Sequence, residues 1–244
     1  MNVVILAAGL SSRLFPLTKK YPKAALPLFD GKSLLYLTMQ NLVPVKTKIH
    51  NLLIIGGHGF DYLVDEVASF ENELPLIPKI VYNPKYKSIN NSYSLLLGIE
   101  RHLEDDLLIL NSDILYDPAI LVNLIHSAKT SLAVDNVKRL TQESMKVYVN
   151  SGRTTDISKT LVLERSYGEY IGIAKIQKKH LKPLKTALIK IIKEDPDYFY
   201  EEAFRAMLPD FLFGVINTDG LLWTEIDDAN DLENAKHLYQ SIKK

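Results

Sequence analysis

In the first 130 residues, short apolar runs alternate with longer stretches that have helical periodicity. The short runs predict buried strands at residues 3–7, 52–55, 79–82 and 107–110. The longer stretches predict helices at residues 33–43, 60–70, 92–103 and 118–128. Because strands that alternate with helices form parallel sheets covered on both faces, this part of the chain predicts a mostly parallel sheet between two helical layers.

After residue 130 the pattern changes to strand-like runs with few helices between them. Strands are predicted at residues 131–135, 145–149, 161–164 and 170–176, and helices at residues 178–193 and 198–208. A strand pair at residues 213–217 and 222–226 and a helix at residues 228–242 complete the pattern. No Gly/Ser-rich linker divides the sequence. We therefore predict one α/β domain over residues 1–244, with a Rossmann-like, mixed, mostly parallel sheet flanked by helices and two lobes at about residues 1–130 and 131–244.

Composition removes several classes of function. The chain has 29 basic and 29 acidic residues, and this zero net charge argues against nucleic acid or an anionic membrane as its partner. Cysteine is absent, which excludes disulfides and thiolate metal sites. No apolar run reaches membrane-spanning length, and the first residues lack the basic segment of a signal peptide, so we expect a cytoplasmic protein.

A loop rich in small residues follows the first predicted strand and reads Ala8-Gly9-Leu10-Ser11-Ser12-Arg13. Small residues allow backbone N–H groups to turn toward an anion, and Arg13 can donate to two phosphate oxygens. Further along, Pro22 stiffens the chain before Lys23, whose ammonium group would suit a polyphosphate. An ordinary surface turn with solvated basic residues is the alternative. The combination of loop, arginine and lysine favours a phosphate site.

Two predicted strands end in carboxylates. Asp113 follows the strand at residues 107–110, at the sheet edge where ligands of α/β proteins bind. Asp227 follows the strand at residues 222–226, and period-two alternation predicts that Trp223, Glu225 and Asp227 share one face. Because Mg²⁺ is typically held by one or two carboxylates together with phosphates and water, Asp113 and Asp227 can form a magnesium site. Each acid alone is equally compatible with a solvated loop residue or a helix cap.

The string LAAGLSSRLFPLTKKYPKAALPL resembles the signature of nucleotidyltransferases with the glycosyltransferase-A-like fold, which include sugar-1-phosphate nucleotidyltransferases and small-molecule cytidylyltransferases. The loop of that family usually reads Gly-x-Gly-Ser/Thr-Arg, and Ser11 stands here in place of the second glycine. The resemblance implies that Lys23 and Arg13 are catalytic and that Asp113 and Asp227 bind Mg²⁺. The residues expected to bind a nucleoside triphosphate are Leu6, Ala7, Ala8, Gly9, Ser11, Ser12, Arg13, Lys23, Asn90, Asn91 and Ser92.

Three further stretches resemble the phosphocholine cytidylyltransferase branch of this family: residues 82–95, residues 145–172, and the segment Trp223-Thr224-Glu225-Ile226-Asp227. The resemblance implies transfer of CMP from CTP to a small phosphorylated acceptor such as phosphocholine, with release of pyrophosphate. The lobe at about residues 1–130 would then bind the nucleotide and the lobe at about 131–244 the acceptor. The sequence does not determine the oligomeric state, and a homodimer is one of the possibilities.

The expected acceptor site combines aromatic rings, carboxylates and a lysine, because aromatic faces and a nearby carboxylate hold a quaternary ammonium group. Its predicted members are Lys159, Glu169, Tyr170, Trp223 and Glu225. On the nucleotide side, Asn90, Asn91 and Ser92 stand at a helix start, where they can cap the helix or contact a base or ribose.

Two other functions fit the same motifs. A sugar-1-phosphate nucleotidyltransferase would use the same loop and metal ligands, and a catalytically silent nucleotide-binding subunit would keep the fold alone. The reaction itself needs no general base, since the second pKa of a phosphomonoester lies near 6 and the acceptor is already ionised at neutral pH. Catalysis then depends on positioning and on charge neutralisation, which agrees with a motif set of cations and carboxylates.

Overall fold

The computed structural model describes residues 1–70, 72–101 and 104–243 of the chain. Its strands are β1 Asn2–Ala7, β2 Pro27–Phe29, β3 Lys32–Ser33, β4 Asn51–Gly56, β5 Lys79–Tyr82, β6 Leu107–Asn111, β7 Ile114–Tyr116, β8 Ser131–Asp135, β9 Lys146–Asn150, β10 Arg153–Ser158, β11 Gly168–Ile176, β12 Gly214–Asn217 and β13 Trp223–Glu225. Its helices are α1 Leu34–Leu42, α2 Phe60–Ser69, α3 Asn91–Ile99, α4 Pro118–His126, α5 Lys178–Glu194, α6 Glu201–Met207 and α7 Ala229–Ile242.

Nine strands form one central sheet in the order β5-β4-β1-β6-β11-β8-β12-β10-β9. The four strands from β5 to β6 are mutually parallel, β8 and β12 form a second parallel pair, and β11 runs antiparallel to both β6 and β8. The predicted mixed α/β fold, with a central sheet flanked by helices, is confirmed. The division into two lobes remains a prediction.

Alternation along β1 shows how the two layers form. Val3 and Ile5 belong to one apolar cluster, which α1, α2 and α4 cover, whereas Val4 and Leu6 belong to the cluster on the opposite face, under α3, α5 and α6. Because both faces of β1 are covered, its sequence is continuously apolar rather than alternating. Helix α7 packs in a third, smaller cluster with Leu14. None of the helices described is both long and apolar enough to cross a membrane.

The structure differs from the strand predictions in several places, and β10 at Arg153–Ser158 was not predicted. Residues 161–164 form no strand and lead into a single 3₁₀ turn at Leu163–Arg165. The strands predicted at residues 213–217 and 222–226 do not pair, because β12 lies between β8 and β10 whereas β13 pairs with β7. The sequence pattern had not indicated β7 at all, since it has only three residues. The end of the helix predicted at residues 92–103 falls partly outside the described residues.

Candidate active site

The carboxyl ends of β1 and β6 open at the same edge of the sheet because the two strands are parallel neighbours. A cavity of about 360 Å³ lies at this edge. Its lining includes the loop after β1, the Asn111-Ser112-Asp113 segment and residues near the start of α3. Eight of the residues predicted to bind the nucleotide line this cavity: Leu6, Ala7, Ala8, Gly9, Ser11, Lys23, Asn90 and Asn91.

Hydrogen bonds to neighbouring segments hold the loop after β1 in place. Ser11 adopts a left-handed conformation, with φ of 50°, and its carbonyl accepts from the Thr18 hydroxyl at 2.6 Å. The Ala8 carbonyl accepts from the His58 N–H at 3.2 Å. Gly57 allows this approach, since a Cβ there would lie 2.8 Å from the Ala8 oxygen. The loop backbone is therefore fixed before any ligand binds.

The Lys23 ammonium group lies between the two predicted metal ligands. Its Nζ atom is 3.3 Å from Oδ2 of Asp113 and 3.1 Å from Oδ1 of Asp227, and it also donates to the Ile226 carbonyl. Burial favours the neutral amine, but attraction to Asp113 and Asp227 outweighs burial and raises the pKa of Lys23. The Arg13 guanidinium, 64% exposed, contacts Oδ2 of Asp227 at 2.8 Å. Both predicted catalytic cations therefore lie beside one carboxylate.

Three carboxylates converge here rather than two. Asp113, Glu225 and Asp227 each have an oxygen atom within 4.8 Å of the others. The pairing of β7 with β13 causes this, since it places the Ile226 N–H 2.9 Å from the Asp113 carbonyl. The sequence assigned Glu225 to the acceptor, whereas the structure places it in this acidic triad. The position of Glu225 depends on the pairing of β7 with β13. Each of these strands has only three residues, so the sequence pattern could not predict that they pair.

The chemistry of the triad fits a divalent cation. Burial, with the nearby charges of Asp113 and Asp227, raises the pKa of Glu225 to about 8. The pKa of Asp227 is lowered, because attraction to Lys23 and Arg13 exceeds the effect of burial. The Oδ1 atom of Asp113 is buried and has no hydrogen-bond partner among the described residues. A divalent cation among these oxygen atoms would offset the repulsion from Asp113 and Asp227 that helps to raise the pKa of Glu225, and carboxylate oxygens are ligands that hard cations prefer.

The three polar residues at the start of α3 have different roles. Asn90 uses both amide atoms within the protein, accepting from the Asn91 N–H and donating to the Asp197 carbonyl. Asn91 lines the cavity, but Ser92 is fully buried outside it, so its predicted nucleotide contact is wrong. Positions three apart share a helix face. Ser94 therefore lies on the cavity side with Asn91, and its hydroxyl accepts from the Asn83 amide at 2.9 Å.

Neither of the two remaining loop residues lines the cavity. Ser12 lies exposed in the 3₁₀ turn that follows the loop. Arg13, in the same turn, reaches Asp227 from outside the cavity. Asn83, Tyr86, Ser94 and Asn111 line the cavity without having been predicted to do so. The Tyr-Asn-Pro string at residues 82–84 was the available signal for Asn83.

The predicted aromatic walls of the acceptor site are not open. Tyr170 is buried in the core, where its hydroxyl pairs with that of Tyr200 at 2.9 Å, so the prediction that it forms a wall is wrong. Trp223 is also buried, its indole N–H donates to Asp135, and the ammonium of Lys138 lies 4.5 Å from its ring centroid. The protein's own lysine therefore occupies the ring face that a cationic substrate would need.

The two polar members of the predicted acceptor site lie close to other charges. Lys159 follows β10, 3.5 Å from Oε2 of Glu143, and its charge contributes to lowering the pKa of Asp227. Glu169, on β11, is half-buried, and burial raises the pKa of its carboxyl group. Lys159 is thus within electrostatic range of the acidic triad.

Comparison with known proteins identifies relatives along the whole chain. The sequence model of a family described as nucleotidyl transferase matches residues 2–147. The bifunctional IPC transferase and DIPP synthase of Aquifex aeolicus (strain VF5) is 30% identical over 238 residues, which cover 96% of this chain and 51% of that protein. The chain therefore spans about half the length of this relative.

Two further relatives match over nearly their full length. The CTP:phosphoglutamine cytidylyltransferase of Campylobacter jejuni is 27% identical over 260 residues, which cover 96% of this chain and 98% of that protein. The solved structure of the inositol-1-phosphate CTP transferase from T. maritima superimposes with a TM-score of 0.82 at 23% identity, covering 100% of this chain and 96% of that one. At that identity the structural match concerns the fold.

Proposed function

This chain belongs to the nucleotidyl transferase family, and on that premise we propose that it transfers CMP from CTP to a small phosphorylated alcohol and releases pyrophosphate. The observation that carries the proposal is the convergence of Lys23, Asp113 and Asp227, because Lys23 and Asp113 line the cavity together with the loop after β1. Relatives named for CTP-dependent transfer support the choice of nucleotide.

The reaction is an in-line displacement at the α-phosphorus. An oxygen of the ionised acceptor phosphate forms a bond to that phosphorus, and the bond from phosphorus to the bridging oxygen breaks, so that pyrophosphate leaves with the electron pair. Lys23 and Arg13 carry fixed positive charge at the point where negative charge develops, which favours the transition state over the bound substrate. The ionised acceptor needs no base from the protein.

The acidic triad is the proposed metal site. Asp113, Glu225 and Asp227 would hold Mg²⁺, which would supply charge neutralisation for the phosphates when bound. Lys159, within electrostatic range of the triad, is the proposed ligand of the acceptor phosphate. Glu169, whose carboxyl group is influenced by the charges of Lys138 and Lys146, is kept as a candidate for binding a polar group of the acceptor.

A neutral acceptor suits the geometry better than phosphocholine. The Lys138 ammonium lies on the Trp223 ring, and Tyr170 lies in the core, so neither ring offers a free face to a quaternary ammonium group. Phosphocholine remains the second candidate, because the motif at residues 223–227 resembles that branch of the family. A sugar 1-phosphate is the third, and it would use the same loop and triad.

A pyrophosphate-release panel tests the proposal. It crosses CTP, UTP, ATP and dTTP with inositol 1-phosphate, phosphocholine, aminoethylphosphonate and two sugar 1-phosphates, with and without Mg²⁺. We expect release with CTP and a phosphorylated alcohol, and a loss of about a hundredfold or more in Asp113→Asn and Asp227→Asn, since charge stabilisation at the reacting centre is worth that much. Asp210→Asn, which changes an exposed acid outside the triad, should keep full turnover.

Each of the other outcomes of this panel would indicate a different function for the protein. Release only with dTTP or UTP and a sugar 1-phosphate would identify a sugar nucleotidyltransferase. Release with phosphocholine and not with inositol 1-phosphate would identify a phosphocholine cytidylyltransferase and contradict the preference for a neutral acceptor. Nucleotide binding without turnover of any pair would identify the silent subunit.

A further inference from the structure

The side chain and backbone of Tyr200 both bond to asparagines that line the cavity. The Tyr200 N–H donates to Oδ1 of Asn91 at 2.9 Å, and the Tyr200 hydroxyl donates to Oδ1 of Asn111 at 3.1 Å. Tyr200 precedes α6 and is fully buried. Both asparagines therefore have their amide oxygen already engaged by the same residue.

The amide nitrogen atoms of Asn91 and Asn111 are not engaged by Tyr200. Within the described part of the chain, no protein group accepts from Nδ2 of Asn91 or Asn111. The Asn111 amide lies over Gly172, whose φ is +80°, and a Cβ at that position would lie 2.6 Å from Nδ2 of Asn111. The backbone of β11 thus leaves room for the amide. Because Asn111 lines the cavity, its free donor is available to a ligand there.

A second tyrosine fixes the direction of the bond to Asn111. The Tyr200 hydroxyl has one proton, and its oxygen lies 2.9 Å from the Tyr170 hydroxyl. Burial, together with the nearby charge of Glu201, raises the pKa of Tyr200 well above its ordinary value, so the group stays protonated. The Tyr200 hydroxyl donates to Oδ1 of Asn111, and its oxygen can accept the proton of the Tyr170 hydroxyl.

The position of Asn111 identifies the part of a ligand that it would meet. Asn111, on β6, pairs in register with Leu6 on β1. Since β1 ends at Ala7, Asn111 lies next to the start of the loop after β1. The Asn83 amide donates to the Ser94 hydroxyl, the Lys23 ammonium group contacts Asp113, and all four of these residues line the cavity together with Asn111. In a nucleoside triphosphate, the sugar lies between the base and the phosphates.

We propose that Asn111 donates a hydrogen bond from Nδ2 to a sugar hydroxyl of the bound nucleotide, and that Tyr200 is the positioning residue that sets this orientation. The inference rests on the proposed function only in assuming that a nucleoside triphosphate occupies the cavity. It does not depend on the base, since every ribonucleoside triphosphate carries the same sugar.

Direct binding measurements test the inference. Calorimetry with Mg²⁺ gives the Kd of CTP, 2′-deoxy-CTP and 3′-deoxy-CTP for the wild type, Tyr200→Phe, Asn111→Ala and the double variant. We expect the wild type to bind CTP about three- to tenfold more tightly than one of the deoxy analogues, which corresponds to one hydrogen bond. Tyr200→Phe and Asn111→Ala should each remove that preference. The double variant should be no worse than Asn111→Ala, because both changes act through one contact.

Tyr170→Phe is the matched control. It removes the same buried bond between the two tyrosines as Tyr200→Phe does, but leaves the Tyr200 hydroxyl bonded to Asn111. Thermal unfolding should shift downward in both variants, and further in Tyr200→Phe because it also loses the bond to Asn111, whereas only Tyr200→Phe should lose discrimination between ribose and deoxyribose. Equal loss in both variants would show that Tyr200 acts through packing and would overturn the inference.

Two further results separate this inference from the proposed function. A wild type that binds CTP and both deoxy analogues equally well, with normal pyrophosphate release, would overturn the inference alone. A wild type that discriminates the sugar but turns over no acceptor would overturn the proposed function alone. If another nucleoside triphosphate binds instead of CTP, the same series is measured with that nucleotide and its deoxy forms, and the same criteria apply.

Discussion

Among the individual residues of this protein, Glu201 combines complete burial with an acidic side chain. Its Oε2 atom has no hydrogen-bond partner among the described residues. Burial raises the pKa of this carboxyl group from 4.5 to about 7. A folded-state pKa above the unfolded value means that the folded protein binds this proton more tightly. The stability contributed by Glu201 is therefore complete below pH 4.5 and is lost as the pH rises toward 7.

Glu201→Gln should remove this pH dependence. At about 1.4 kcal/mol per pKa unit, the shift corresponds to a loss of roughly 3 kcal/mol in the free energy of unfolding between acid and pH 8. Urea denaturation at pH 5 and pH 8 measures it, and the variant should be the more stable protein at pH 8 only. Glu202→Gln is the control, since that side chain faces Arg205 at the surface. An equal pH response in wild type and Glu201→Gln would contradict the prediction.

Residue types in strand-end positions were the most informative part of the sequence. Asp113 and Asp227 were selected from strand ends and Lys23 from the segment after Pro22, and the structure brings all three together. The burial of aromatic side chains was harder to infer, because the sequence pattern is the same for an aromatic residue in the core and for one that lines a binding site. Tyr170 was misjudged for that reason. Ser92 was misjudged because the first residue of α3, and hence its cavity face, depends on tertiary hydrogen bonds to the Pro196–Tyr200 region.

At the scale of elements, the start of α7 supports one ligand of the triad. Asp228 is the N-cap and accepts from the N–H groups of Asn230 and Asp231, and Asp231 accepts in return from Asp227 and Asp228. Asp227 is therefore attached to the first turn of the helix through its own backbone. Short strands β7 and β13 bring this turn to Asp113, and a three-residue strand is below the length that periodicity can reveal.

Asp228→Ala should therefore affect both stability and catalysis. Loss of the cap should lower the free energy of unfolding by about 1 kcal/mol. Turnover should also require a higher Mg²⁺ concentration, because loss of the cap loosens the first turn of α7, which includes Asp231, the residue whose carboxylate accepts from the Asp227 N–H. Urea unfolding and a Mg²⁺ titration of pyrophosphate release measure the two effects. Asp117→Ala removes the equivalent cap of α4 and should lower stability by a similar amount without changing the Mg²⁺ requirement. Identical titrations for the two variants would contradict the role of α7.

For the whole molecule, the central sheet joins the two halves of the sequence. Strand β11 pairs with β6 on one side and β8 on the other. The cluster on the face covered by α1, α2 and α4 contains Val3 and Ile5 from the first half together with Ile173 and Trp223 from the second. Alternation of strands and helices was enough to predict the parallel half of the sheet. The position of β11 could not be predicted, because pairing between strands far apart in sequence leaves no local periodicity.

Cooperative unfolding of the whole chain is the expected consequence of this shared core. The chain has a single tryptophan, and Trp223 is buried with its indole bonded to Asp135, so its fluorescence reports on the junction between the halves. Far-UV circular dichroism reports on the helices of both. We expect the urea transitions from the two signals to coincide, as they do when no intermediate is populated. Addition of CTP and Mg²⁺ should move both midpoints upward by the same amount, because a ligand bound only to the folded state stabilises the entire cooperative unit. A fluorescence transition separate from the dichroism transition, with only one of the two shifted by nucleotide, would show that the lobes at about residues 1–130 and 131–244 unfold independently and would contradict the single-domain prediction.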